Sequence, residues 1–205
     1  MRARRYSKTG ALMLKISGNN RVALVGRTGS GKTYLARHLL ATIPRLLVID
    51  AKDELTDWQT QVWNKKASRR FVDGANLRLR VVDEDNVQPA FEAMLDSGNG
   101  IVYVDETYFL SELGRDVLKL YRALWTRGRG LGIGGWASTQ RPRFIPLFTL
   151  SEADFVILFK LSRIEDRRTV AENTARSLMK IPPEFSFWLY NVRKDESFMM
   201  RSIKE

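Results

Sequence analysis

The sequence predicts an α/β protein built on a mostly parallel β-sheet, covered by helices on both faces, with an antiparallel C-terminal hairpin at one edge. Three observations predict it. Short apolar runs alternate with helical segments through most of the 205 residues, as in sheets whose parallel strands are joined by crossover helices. A glycine-rich loop separates the first apolar run from the first helix. Near the end, two strand-like runs flank the polar turn Arg193-Lys194-Asp195, which reads as a hairpin.

Residues 1–20 read as a basic arm (Arg2, Arg4, Arg5, Lys8) that ends in the turn Gly18-Asn19-Asn20. Arg21–Gly26 (RVALVG) is a short apolar strand. Lys32 to Ile43 is helical and stops before Pro44. Arg45–Asp50 is a second strand. A polar stretch follows, containing Asp57, Trp58 and the basic cluster Lys65-Lys66-Ala67-Ser68-Arg69-Arg70. Leu77–Val82 alternates as a strand, and Val87 to Leu95 is helical. Gly100–Asp105 is a strand, Leu113–Trp125 a helix, and Ile133–Thr139 a strand weakened by its glycines. Phe155–Leu161 (FVILFKL) is the strongest strand signal, and Ile164–Leu178 a charged helix. Phe185–Val192 and Ser197–Ile203 form the hairpin. With no internal repeat or linker, residues 21–205 read as one domain.

Composition narrows the chemistry. Hydrophobic residues make up 44% and charged residues 28%, as in an ordinary globular chain. There is no cysteine, which excludes thiol catalysis and Cys-ligated metals. The single histidine, His38, excludes a multi-histidine metal cage and reads as an ordinary helix residue. Net charge is +11, which favours a polyanionic partner. No apolar run approaches the ~20 residues of a transmembrane helix, and no apolar signal core follows the basic start. A soluble, intracellular, basic protein is expected.

Gly26 to Thr33 (GRTGSGKT) matches G-x-x-x-x-G-K-[ST] in full, with a strand leading in and a helix leading out. In that setting backbone N–H groups and the helix N-terminus cradle phosphates. The cradle comprises Gly26, Arg27, Thr28, Gly29, Ser30, Gly31, Lys32, Thr33 and Tyr34. Lys32 would reach the β- and γ-phosphates, and Thr33 would hold Mg²⁺ through its hydroxyl. Ile101–Asp105-Glu106 is an apolar strand ending in two carboxylates. Ligands of an open parallel sheet sit beyond the carboxyl ends of its strands. Asp105 would therefore order the Mg²⁺ shell, and Glu106 would polarise the attacking water. Gln140, closing the run Trp136-Ala-Ser-Thr-Gln140-Arg-Pro142, would lie at the same edge near the γ-phosphate. From Arg122 to Arg143 the chain carries arginines and no acid. Arg127 and Arg129 suit either transition-state charge on a neighbouring subunit or a basic loop that is solvated or touches DNA phosphates. The tryptophans read as core or interface anchors.

GRTGSGKT at 26–33, IVYVDE at 101–106, RGRGLGIGGWASTQRP at 127–142 and Ser162-Arg-Ile-Glu-Asp-Arg167 together resemble the FtsK–HerA superfamily of DNA-pumping ATPases over residues 21–175. The chain is most similar to the small genome-packaging ATPases of viruses with double jelly-roll capsids, those of archaeal turreted icosahedral viruses included. The resemblance implies a RecA-like P-loop NTPase fold, ATP and Mg²⁺ as cofactors, and a hexameric ring with ATP sites between subunits. It implies Lys32, Thr33, Asp105, Glu106 and Gln140 in the roles above, and Arg127, Arg129 or Arg167 as the arginine acting in trans. Its implied partners are double-stranded DNA gripped without sequence specificity and a viral capsid or membrane vertex protein. The implied location is the host cytoplasm of a prokaryotic virus, or the virion.

The basic arm and the Lys65–Arg70 cluster are candidate DNA grips, because phosphate contacts supply affinity without sequence information. Each cluster also fits a solvated face. Rival readings are an assembly or export ATPase, a conjugation-type DNA-transfer ATPase, and a non-motor switch or small-molecule kinase. A GTPase would need an Asn-Lys-x-Asp guanine reader, which the sequence lacks.

Overall fold

The computed structural model describes residues 18–201; the basic residues Arg2, Arg4, Arg5 and Lys8 lie outside them, as does Ile203. The chain runs β1 (Arg21–Val25), α1 (Lys32–Leu40), β2 (Leu46–Ile49), β3 (Gln61–Val62), α2 (Lys65–Val72), β4 (Arg78–Val81), α3 (Val87–Ser97), β5 (Gly100–Val104), α4 (Arg115–Arg127), β6 (Ile133–Thr139), α5 (Phe148–Ser151), β7 (Phe155–Leu158), α6 (Ile164–Asn173), β8 (Ser186–Asn191) and β9 (Glu196–Arg201). These form a nine-stranded sheet in the order β3-β4-β2-β5-β6-β1-β7-β8-β9. Pairings from β3 through β7 are parallel, while β7–β8 and β8–β9 are antiparallel.

Side chains alternate across the strands and so divide the core between two faces. On one face α1 lays Leu35, Ala36 and Leu40 against Val22, Leu24, Val48 and Tyr103. On the other, α2, α3 and α4 pack on Leu47, Leu79, Val102 and Val104. Farther along that second face, Ala23, Val25, Val156 and Leu158 meet Leu150 and Val170, from α5 and α6.

Most expected elements are present with trimmed ends. Two differ in kind. The expected strand 155–161 stops at Leu158, and the helix 164–178 breaks at Asn173 into a short 3₁₀ turn, Arg176–Met179. The stretch read only as polar contains β3 and α2. Asn64 caps α2, its Oδ1 accepting from the N–H groups of Lys66 (3.1 Å) and Ala67 (2.9 Å). Ala67 and Phe71, one turn apart, are its buried anchors.

The glycines of β6 do not weaken the strand; they admit a neighbour. A Cβ on Gly135 would stand 2.8 Å from the indole of Trp125, which lies across the strand. Four arginines serve as scaffolding. Arg45 donates to Phe71 O (2.6 Å), Ala75 O (2.7 Å) and Gly98 O (3.2 Å), closing the ends of α2 and α3. Arg78 donates to Leu40 O and Ile43 O behind α1. Arg21 donates to Trp125 O (2.6 Å), and Arg80 pairs with Asp50 (2.9 Å).

Candidate functional site

The site lies where β1, β5 and β6 end together. β6 separates β1 from β5, so the phosphate-type loop and the paired acids sit on strands that do not touch. The strand between them is the one that leads into Gln140, and not β2 or β4, which intervene in the sequence.

The loop leaves β1 with its backbone tied to both neighbours. Gly26 N–H donates to Thr139 O of β6 (3.1 Å), and Arg27 N–H to Lys160 O beyond β7 (3.0 Å). Gly29 (φ 70°) and Gly31 (φ 95°) take left-handed backbone, which a side chain would strain. No side chain caps α1 at Gly31, so the N–H groups of its first turn face outward with the positive end of the helix. Lys32 is buried and donates to Gly26 O (2.9 Å) and Arg27 O (3.1 Å). Burial lowers its pKa, and the charges of Glu106 and Asp105 offset part of that fall.

Asp105 follows β5. Its Oδ1 accepts from Tyr103 Oη (2.7 Å) and stands 3.5 Å from Thr33 Oγ1. Burial raises the Asp105 pKa, against the opposing pull of the Tyr103 hydroxyl and Lys32. The hydroxyl of Thr33 beside one carboxylate is a hard-oxygen set that suits Mg²⁺ completed by substrate phosphates and water. Among the described residues no group of three or more His, Cys, Asp or Glu could form an all-protein metal cage.

Glu106 is 5% exposed and takes a left-handed conformation (φ 55°, ψ 69°), a costly geometry for a non-glycine residue. Its Oε1 accepts from Thr139 Oγ1 (2.9 Å) and Gln140 N–H (3.1 Å). The Gln140 side chain reaches across to accept from Thr28 Oγ1 of the loop. Glu106 and Gln140 line a cavity of about 410 Å³ with Lys52, Tyr108, Arg141 and Phe144. Lys32, Thr33, Asp105, Glu106 and Gln140 therefore converge on one sheet edge.

Other expected residues are placed differently. Tyr34 lines a separate cavity of about 280 Å³ with Arg37, His38, Asp57 and Trp58. Arg129 pairs with Asp154 (2.8 Å), which also accepts from Arg21 N–H at the amino end of β1. Arg167 donates to Leu161 O (3.2 Å). Arg127 is exposed at the end of α4, with no ion pair among the described residues. Sequence reading missed Tyr103 and Lys52. Tyr103 was findable, because period-two alternation puts it on the same face as Asp105.

No protein-family profile matches the chain. A search of known proteins finds the DNA packaging ATPase P9 of Enterobacteria phage PRD1, 30% identical over 174 residues, covering 73% of this chain and 68% of that protein. The chain belongs to the viral packaging ATPase family. Among solved structures, the genome packaging NTPase B204 of Sulfolobus turreted icosahedral virus 2, in complex with AMPPCP, superposes with a TM-score of 0.74 at 20% identity. That match covers 92% of this chain and 100% of B204. VirB4 of Thermoanaerobacter pseudethanolicus matches with a TM-score of 0.65 at 9% identity, over 91% of this chain and 90% of its own. This packaging ATPase has the P-loop NTPase fold, mixed only at its C-terminal edge.

Proposed function

We propose that this packaging ATPase hydrolyses ATP at seams between subunits of a homo-oligomeric ring and uses the reaction to drive double-stranded DNA into a viral capsid. One observation carries the chemistry: the buried Glu106 carboxylate and the Gln140–Thr28 contact border the same cavity beside the loop. In this reading the α1 N-terminus and Lys32 hold the β- and γ-phosphates. Thr33 and Asp105 hold Mg²⁺, which neutralises phosphate charge when bound. Glu106 accepts a proton from water as the water oxygen bonds to the γ-phosphorus. The bond from γ-phosphorus to the β,γ-bridging oxygen breaks, leaving ADP and inorganic phosphate. Thr139 and the Gln140 N–H aim Glu106, and the Gln140 side chain links its position to the loop.

One feature supports the ring. Phe144, at the cavity mouth, is 58% exposed, and the nearby Leu147 is 53% exposed, as suits a surface that a second copy covers. Arg141 of the same chain already lines the cavity, and in this reading a neighbour's arginine joins it. Arg127 is favoured among the three candidates, because Arg129 and Arg167 already have partners. The DNA grip is assigned to the exposed Lys65, Lys66, Arg69 and Arg70 of α2.

ATPase rate against protein concentration, with and without double-stranded DNA, tests the proposal. A rate per subunit that rises with concentration and with DNA is expected. A dilute monomer that is fully active, indifferent to DNA, would sink the ring and the motor together.

A further inference from the structure

The turn after β2 is built at unusual cost. Asp50, wholly buried, accepts from the N–H groups of Glu54 (3.2 Å) and Leu55 (2.8 Å) and pairs with the buried Arg80 (2.9 Å). Asp53 N–H donates back to Asp50 O (3.1 Å), and Asp53, in left-handed backbone (φ 54°), pairs with the same Arg80. A buried ion pair offers little net stability for its desolvation, so holding this turn is the evident result. Between these two acids stands Lys52. It is exposed and lines the cavity with Glu106 and Gln140. Its charge is felt at both Lys32 and Asp105. The adjacent acid is already taken by Arg80, and no ion pair engages Lys52 among the described residues.

The geometry points to Lys52 as a catalytic cation acting in cis, contacting the γ-phosphoryl oxygens from the side opposite Lys32, with Asp50, Asp53 and Arg80 as the residues that position it. This rests on the ATPase reading of the same site. Lys32 grips the phosphates from beneath the loop. Lys52 approaches across the cavity, where negative charge on the γ-phosphoryl oxygens meets the attacking water. A cation there stabilises charge that develops late, so its removal lowers kcat more than nucleotide affinity.

The test uses the full chain in its assembled state. Lys52→Ala is expected to lower kcat by about 10²-fold, the scale of losing one preorganised donor, while affinity for a fluorescent ATP analogue stays within about threefold. Lys52→Arg should recover part of the rate. Asp53→Asn tolerates the left-handed backbone while weakening the hold of Arg80. It should lower kcat several-fold in the parent chain and leave it unchanged in the Lys52→Ala background. A purely structural role for Asp53 would cost the same in both backgrounds and would overturn the positioning claim. Wild-type kcat in Lys52→Ala, with turnover still abolished by Glu106→Gln, would overturn the Lys52 role and leave the ATPase reading standing. An inactive wild-type assembly would overturn both.

Discussion

Burial holds the Asp105 carboxyl above the usual carboxylate range even with Tyr103 and Lys32 pulling the other way. An acid whose pKa is higher folded than unfolded costs stability once pH exceeds the folded value, and costs nothing below the unfolded value. Asp105→Asn should therefore raise the thermal midpoint of the nucleotide-free protein at pH 7, by about 2–4 °C per kcal/mol relieved. The gain should fade as pH falls through the raised value and vanish below the reference value of 3.8. The same variant should lose Mg²⁺-dependent turnover. Scanning calorimetry across pH and phosphate release measure the two halves. Glu106 calls for a different outcome. Glu106→Gln keeps an oxygen that can accept from Thr139 and Gln140 N–H but cannot take the proton. Turnover should drop by about 10²–10⁴-fold with nucleotide binding retained. Asp154 sits at the other end of the sheet. Burial alone would raise its pKa, but the Arg21 N–H, Asn20 and Arg129 outweigh it and hold the carboxyl below the usual range. Its contribution is present above the unfolded pKa and lost as pH falls through the lower, folded one.

Helix α2 concentrates charge of one sign. Lys65 and Lys66 occupy the first turn, where the positive end of the helix repels cations, while Arg69 and Arg70 occupy the last turn, where the negative end favours them. The pairs 65/69 and 66/70 are like-charged one turn apart and cost roughly 0.2–0.5 kcal/mol each, which a phosphate backbone would relieve. Replacing the four cations with glutamine should relieve that repulsion and leave the helix formed. It should also flatten the dependence of log K for DNA on log salt by about 0.9 for each phosphate that the helix ceases to neutralise. Filter binding over a salt series would read this; an unchanged slope would move the grip elsewhere. At this scale the sequence was legible where one signal dominated. β1, the loop and α1 follow from an apolar run, glycines and Lys32. β5 announces itself by apolar length and by its polar end, Asp105-Glu106, whereas the glycines of β6 blur its signal and its polar end at Gln140 marks it. Helix α2 was hidden because only Ala67 and Phe71 face the core, too few for a period to show. Lys52 and Arg80 were hidden because the turn that unites them closes through Asp50 across two strands.

Net charge is the coarsest property of the molecule and the most easily misread. The +11 excess includes Arg21, Arg45, Arg78 and Arg80, whose guanidiniums are used inside the fold. The fold itself was legible as a covered parallel sheet; the lateral order of its strands was not, because neighbours such as β1 and β6 are distant along the chain. The ring makes a sharper prediction at this scale. Arg127→Ala and Glu106→Gln chains should each be nearly inactive. Mixed, they create seams in which one chain supplies an intact acid and the next an intact arginine, so activity should reappear on mixing. Steady-state ATPase on a titrated mixture measures it, and a flat, inactive titration would exclude Arg127 as the trans group. Strands in a sheet stand about 4.8 Å apart, so placing β6 between β1 and β5 sets those two backbones about 10 Å apart, and the side chains of Thr33 and Asp105 reach across that breadth to within 3.5 Å of each other. One strand's width thus holds two backbones apart while leaving their working side chains within reach of a common phosphate.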